Sequence, residues 1–334
     1  MKKLTLFLIL WCHVLFSQEI SGHIYDINTK EPLVGATIYL DGTTLGTNSD
    51  FEGFFKLDIR NANNAKVIIS YIGYDTRVFS ILELDPNLPI HLTESNNQIP
   101  EVKLKFDMWS RSKKLHIFKQ EFLGKEFPAS RCKIENEKDI VLIHNANEGT
   151  LTAYSKKPIR IINKYLGYEV NYNLIDFEIE FSNHFKGSST PVNVYYAGTS
   201  FYSELDEKTR NSILNNRKRS YKGSLLHFMR SLSNKELNES KFVLYYSKNQ
   251  VTPYKYFKLS AHNNAFKKVN LTVEKITVVY KNKEQSIIQL SKKDQSTFYI
   301  DRTGNYSPTN ALLFNGTFGR KRMASTLPLN YNLN

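Results

Sequence analysis

The 334-residue chain reads as a mainly β protein: a small β-sandwich over residues 18–94, then a β-rich α+β domain over 107–334. Three observations predict this. Short β-branched and aromatic runs recur at regular spacing between Gly, Asp and Pro turns. From Asp107 the apolar spacing turns helical for one stretch before strand-like runs resume. Charge also divides the chain: residues 18–108 hold 7 Lys or Arg against 13 Asp or Glu, whereas residues 109–334 hold 36 against 19.

Lys2 and Lys3 precede the almost wholly apolar Leu4–Phe16 and the small Ser17. That run is too short to span a bilayer as a helix and has the order of a secretory signal, residues 1–17. Cys12 follows Leu10 and Trp11, not the small residues of a lipidation box. The expected mature chain starts at Gln18, is exported, and is periplasmic or associated with the outer membrane. Its one thiol, Cys132, makes no internal disulfide, so the fold rests on its core. Phe127, Ala129 and Ile134 nearby predict that Cys132 behaves as a buried small hydrophobe.

Within 18–94, Gln18–Asp26 alternates apolar and polar residues, as a strand does. Ala36–Leu40 closes on Asp41-Gly42, a hairpin signal. Asp50–Gly53 marks another turn, and both Gly42 and Gly53 suit positive φ. Phe54, Phe55 and Leu57 restart a strand, followed by Val67–Tyr71 and Tyr74–Ile81. The spacing predicts about seven short strands, with Ile24, Ala36, Ile38, Phe54 and Ile69 inside.

The order Gly22, Asp26, Pro32-Leu33-Val34-Gly35-Ala36, Gly42-Thr43, Gly46-Thr47, Asp50, Gly53-Phe54-Phe55 and Ser70-Tyr71-Ile72-Gly73-Tyr74 resembles the carboxypeptidase-regulatory-like domain. The resemblance implies a transthyretin-like (prealbumin-like) sandwich. It also implies a cell-envelope context, because such domains stand behind metallocarboxypeptidase catalytic domains and at the N-termini of TonB-dependent outer-membrane receptors. It brings no catalytic residue with it.

Residues 95–106 read as a polar, Pro-marked linker. Beyond it, Trp109, Leu115, Phe118, Phe122 and Leu123 recur at helical spacing, and Gly124 stops the run. Strands are expected at Asp139–Ile143, Thr150–Tyr154, Ile159–Ile162, Tyr168–Phe181, Val192–Tyr196, Phe242–Tyr246, Tyr256–Leu259, Val269–Tyr280, Gln285–Leu290 and Thr297–Ile300. A helical interlude is expected at Glu204–Asn216, capped by Ser203, and at Lys222–Leu232. Phe122-Leu-Gly124, Tyr165-Leu-Gly-Tyr168 and Tyr221-Lys-Gly-Ser224 resemble the downstream region of exported proteins that begin with the same sandwich, a region without an assigned activity. The second region is too short for a receptor plug plus a transport barrel.

Catalytic candidates do not assemble. His91-Leu-Thr-Glu94 has the His-x-x-Glu spacing of zinc ligands but falls on the closing strand of the sandwich and lacks a third ligand nearby. Ser110-Arg-Ser-Lys113 matches Ser-x-x-Lys without the partner motifs that chemistry needs. No metal or cofactor is expected. Arg forks suit carboxylate and phosphate, so Arg230 with His227, and Arg217 with Arg219, are the candidate anion-binding residues. The Tyr-rich strands (Tyr165, Tyr168, Tyr172, Tyr195, Tyr196, Tyr245, Tyr246) fit either a glycan-stacking platform or ordinary sheet faces. No nucleic-acid motif accompanies the basic clusters. The expectation is a non-catalytic envelope protein that binds a protein, a glycan or lipopolysaccharide; the alternative is an envelope peptide or glycan hydrolase whose site forms only in the fold of the second domain.

Overall fold

A computed structural model describes residues 19–59, 65–81, 89–95, 109–182, 190–262, 266–292 and 294–332. The expected signal with Cys12, the expected cleavage point, and the expected linker beyond Ser95 lie outside the described residues. The chain is mainly β, as its patterning predicts.

The sandwich has two sheets. In one, β1 (Glu19–Asp26) lies between antiparallel β4 (Phe54–Asp58) and parallel β7 (Ile90–Leu92). The other runs β3 (Gly46–Asn48), β2 (Thr37–Leu40), β5 (Lys66–Ser70), β6 (Arg77–Ser80), antiparallel throughout. Ile24, Ala36, Ile38 and Ile69 are buried between the sheets, and Gly42 and Gly53 take positive φ, as expected. Phe54 is a correction: it is half-buried, and Phe55 fills the core. Phe55 stands opposite Gly22, where an added Cβ would come within 3.1 Å of its ring. The missing side chain at Gly22 makes room for Phe55, and strand alternation then turns Phe54 outward against His23. Asp26 ties the first turn. Its Oδ1 accepts from the Thr29 and Asn28 amides, which with the Tyr74 hydroxyl on Oδ2 hold its pKa below the usual carboxylate value.

Residues 109–332 carry two hydrophobic cores, where one domain was expected over 107–334. The first belongs to α1 (Arg111–Phe122), α2 (Phe127–Ser130), β8 (Cys132–Ile134), β9 (Ile140–Asn145), β10 (Thr150–Ser155), β11 (Ile159–Asn163), β12 (Tyr168–Phe181) and β13 (Pro191–Glu204). The sheet order is β8-β11-β12-β10-β9, and β13 runs along the opposite side of β12. Phe118 and Phe122 of α1 pack on Phe177 and Tyr172.

The second core belongs to α4 (Leu225–Asn234), which follows α3 (Asn211–Tyr221), and to two sheets. These strands are β14 (Phe242–Tyr246), β15 (Asn249–Val251), β16 (Phe257–Ala261), β17 (Phe266–Leu271), β18 (Lys275–Tyr280), β19 (Glu284–Leu290), β20 (Thr297–Asp301), β21 (Tyr306–Ser307) and β22 (Leu312–Gly316). One sheet is β15-β14-β18-β19-β22, the other β16-β17-β20-β21. Short helices α5 (Pro253–Tyr256) and α6 (Thr317–Arg320) complete the unit.

Three boundaries differ from the sequence reading. β13 runs through Ser203 and Glu204, because these pair with Glu169 and Tyr168 of β12. The helix expected from Glu204 therefore starts at Asn211, and the next is capped by Ser224, whose Oγ accepts from the His227 amide. The expected strand Val269–Tyr280 breaks at 272–274, and its halves enter different sheets.

The three units are stitched together. In the sandwich turn after β2, the Gly42 amide donates to Ser200 O at 2.7 Å, and the Tyr202 amide donates to Thr43 O at 3.0 Å. The Ser200 amide donates to Asp41 Oδ1, and Tyr39 shares a buried hydroxyl contact with Thr199. The tail of the chain completes the join. Met323, Ala324 and Leu327 return to the first core, and the Leu329 amide donates to Gly42 O at 2.7 Å. Asn330 both accepts from the Thr44 amide and donates to its hydroxyl.

Candidate functional site

Where the three units meet, they enclose a cleft of about 2420 Å³. One wall is β13, every residue of which from Pro191 to Ser200 faces the cleft. The other wall is formed by the loop and strands over Ile300–Ser307 and by Leu312–Asn315. The sandwich closes one end with Asp41, Gly42 and Thr43. A band of rings runs across it: Tyr172, Tyr195 and Tyr196 on one side, Tyr306, Phe314 and Phe318 on the other. Burial raises the Tyr306 hydroxyl, with Tyr196 and Tyr195 adding to the effect, and burial likewise raises Tyr196. These phenols stay neutral, so they present apolar faces and hydrogen-bonding tips.

Among the described lining residues, eight are Lys or Arg and four are Asp or Glu. Three of these acids are engaged, and the fourth, Glu236, is exposed just past α4. Glu121, buried on α1, holds Lys125 at 2.6 Å and Arg322 at 3.8 Å. Asp301 Oδ1 accepts from the Thr303 hydroxyl, the Thr303 amide and the Asn305 amide; burial raises its pKa against these bonds. Burial also raises the carboxyl of Asp41, which holds the Ser200 amide. The carboxyls of Asp41, Glu121 and Asp301 thus each fix a turn or a join.

The residues singled out as an anion site do not form one. Arg217 is buried and committed: its guanidinium forks onto Glu204 at 2.6 and 3.0 Å, donates to Leu166 O at 2.7 Å, and lies 3.8 Å from the Tyr168 ring centre. Arg230 borders the cleft but donates to Thr303 O, Leu329 O and Tyr331 O, holding the tail. His227 accepts from the Gly223 amide through Nδ1, and its pKa is lowered to about 4 by burial, then by Arg230 and Lys321. A neutral ring brings no positive charge to an anion. Arg219 is exposed on α3. Periodicity alone could not expose this, because the partners of Arg217 and Arg230 are distant backbone carbonyls.

The other candidates resolve as structure. Ser110 caps α1, its Oγ accepting from the Lys113 amide, and the Lys113 ammonium sits 3.9 Å over Trp109. His91 lies on β7 beside Tyr25, and Glu94 bridges Tyr74. Among the described residues no group of three or more His, Cys, Asp or Glu is placed to hold a metal. Burial pushes the Cys132 thiol up to about 12. Tyr168 is a core residue, Tyr172 and Tyr196 pack in or on the first core and also reach the cleft, and Tyr195 lines the cleft. The signal for the cleft that sequence reading missed is the length of β13, hidden by its polar Ala197–Ser200 half.

Residues 20–104 match the CarboxypepD_reg-like domain. The sandwich accounts for the described part of that match, and residues 105–334 fall outside it. A 61-residue stretch is 39% identical to the TonB-dependent receptor SusC of Bacteroides thetaiotaomicron, covering 18% of this chain and 6% of the receptor. Among the described residues no helix is long and apolar enough to cross a membrane.

Proposed function

We infer that this protein is a non-catalytic binding protein of the cell envelope, exported by its N-terminal signal and acting at the outer membrane or in the periplasm. The envelope address is supported by the likeness of a 61-residue stretch of the chain to a TonB-dependent receptor. The observation that carries the binding role is the cleft: a large, ring-lined, net basic space in which three of four lining carboxylates are engaged in holding the fold. Apolar walls with a few fixed polar groups suit ligand capture. The sandwich serves as a rigid wall that closes one end.

The test is capture of envelope material on immobilised mature protein, compared with a Tyr195→Glu, Tyr306→Ala double variant. Both residues line the cleft and leave the sandwich untouched. Retention by the parent and loss by the variant is the expected result. Equal retention by both, or release of peptide or sugar fragments from envelope substrates by the parent, overturns this reading.

A further inference from the structure

β13 is an edge strand. It pairs with β12 along its whole length, and its other edge faces the cleft. At one end that edge is already occupied: the sandwich turn forms a parallel bridge, Thr43 to Phe201, using the outward backbone groups of Ser200 and Tyr202. Antiparallel strands alternate, so each second residue turns its N–H and C=O away from the partner. The hairpin has two register shifts: one adds Ile175 on β12, between Leu174 and Asp176, and the other adds Val192 on β13, so the alternation of β13 is intact from Gly198 to Asn193. Val194, Tyr196 and Gly198 therefore direct their amides and carbonyls into the cleft.

We propose that the cleft binds an extended, acidic polypeptide segment, which adds as a strand to the free edge of β13 over residues 193–198. This rests on the binding role inferred above and names its partner. An unpaired edge inside a cleft offers backbone hydrogen bonds to any extended chain, and flanking pockets choose its side chains. Here Tyr195, Tyr306 and Phe314 receive apolar side chains. The excess of Lys and Arg over Asp and Glu favours carboxylates at the alternating positions. The sandwich turn sets where the added strand stops, because it holds the edge from Ser200 onward. A sugar chain would use the rings and the charge but not the strand edge.

The probe is a displayed library of random peptides of about eight residues, enough to cover the ~20 Å edge at ~3.3 Å per residue, selected on the full mature protein. Enriched peptides should alternate β-branched or aromatic residues with Asp or Glu. N-methylation of alternate amides in one register should weaken binding at least about tenfold, the equivalent of one to two lost hydrogen bonds, while the other register binds as before. Val194→Pro removes an outward donor without touching the β12 pairing and should weaken binding similarly; Val194→Ala, which keeps the N–H, should not. Raised salt should weaken binding throughout. No enrichment, or enriched peptides indifferent to both N-methylation registers and to Val194→Pro, overturns the proposal. If the cleft variants lose envelope glycan or lipopolysaccharide while no peptide is selected, the binding role stands and the strand-addition proposal falls. If neither is bound, both fall.

Discussion

Replacing Arg217 by Met separates its structural role from the anion-binding role that its sequence context suggests. The guanidinium donates to Leu166 O at 2.7 Å and lies in the core, so Met strands a carbonyl that water reaches poorly. Leaving such a group unpaired costs about 1–3 kcal/mol. The ion pair adds less, roughly 1 kcal/mol, because Glu204 keeps 42% of its side chain exposed and rehydrates. Stacking on Tyr168 adds about 1 kcal/mol. The sum, about 4 kcal/mol, is large for one side chain. At roughly 2–4 °C per kcal/mol it lowers the melting point by about 10 °C. Arg217→Lys keeps the charge, loses the fork, and should fall about midway. Thermal melts followed by circular dichroism give the values. A melting point for Arg217→Met within about 2 °C of the parent, with weakened polyanion binding, would refute this account and restore Arg217 as a ligand residue.

Other consequences can be measured directly. His227 is held neutral with a folded pKa of about 4 against 6.5 for the free group, so between those values the unfolded chain takes up the proton and the folded chain does not. Stability should therefore fall as pH drops across that window. The full shift corresponds to about 3 kcal/mol, reduced to about 1–2 by partial exposure of the ring; a His227→Gln variant should show a flatter profile by urea titration, and an identical profile would disprove the linkage. Gly198→Ala should lose about 2–3 kcal/mol, because the new Cβ would stand 2.3 Å from Asn173 O and 2.5 Å from the Tyr172 ring; a neutral melt would contradict that approach. Cys132 should resist iodoacetamide at pH 8 in the native protein and react on denaturation, since its thiol titrates near 12; rapid native labelling would show it is not held as described.

The sandwich was legible in the sequence because each strand carries its own local instruction: alternation, then a turn residue. Of the five expected core residues Phe54 alone turns outward, and the choice between it and Phe55 depends on Gly22 across the sheet, a pairing that local pattern does not reveal. The same holds for Tyr168–Phe181, whose bounds coincide with β12. Legibility ended where residues take their state from distant partners. Ser203 and Glu204 look like a helix start but continue a strand paired with residues 168 and 169. Arg217 and Arg230 look like free forks but spend their donors on carbonyls about fifty to one hundred positions away. The cleft is the extreme case, assembled from three units by contacts with no local signature.

The joint between Thr44 and Asn330 spans 286 positions of sequence. The sandwich leaves the ribosome before the two units that seat it and holds a core of its own, so it can be complete long before its seat exists. Loop closure over so long an interval comes late in any order of events. A chain truncated or nicked anywhere in between can still display a well-formed sandwich while lacking the cleft altogether. The seating of the sandwich thus acts as a check on assembly: only a molecule in which Thr44 and Asn330 have met owns the far wall against which a partner could be held.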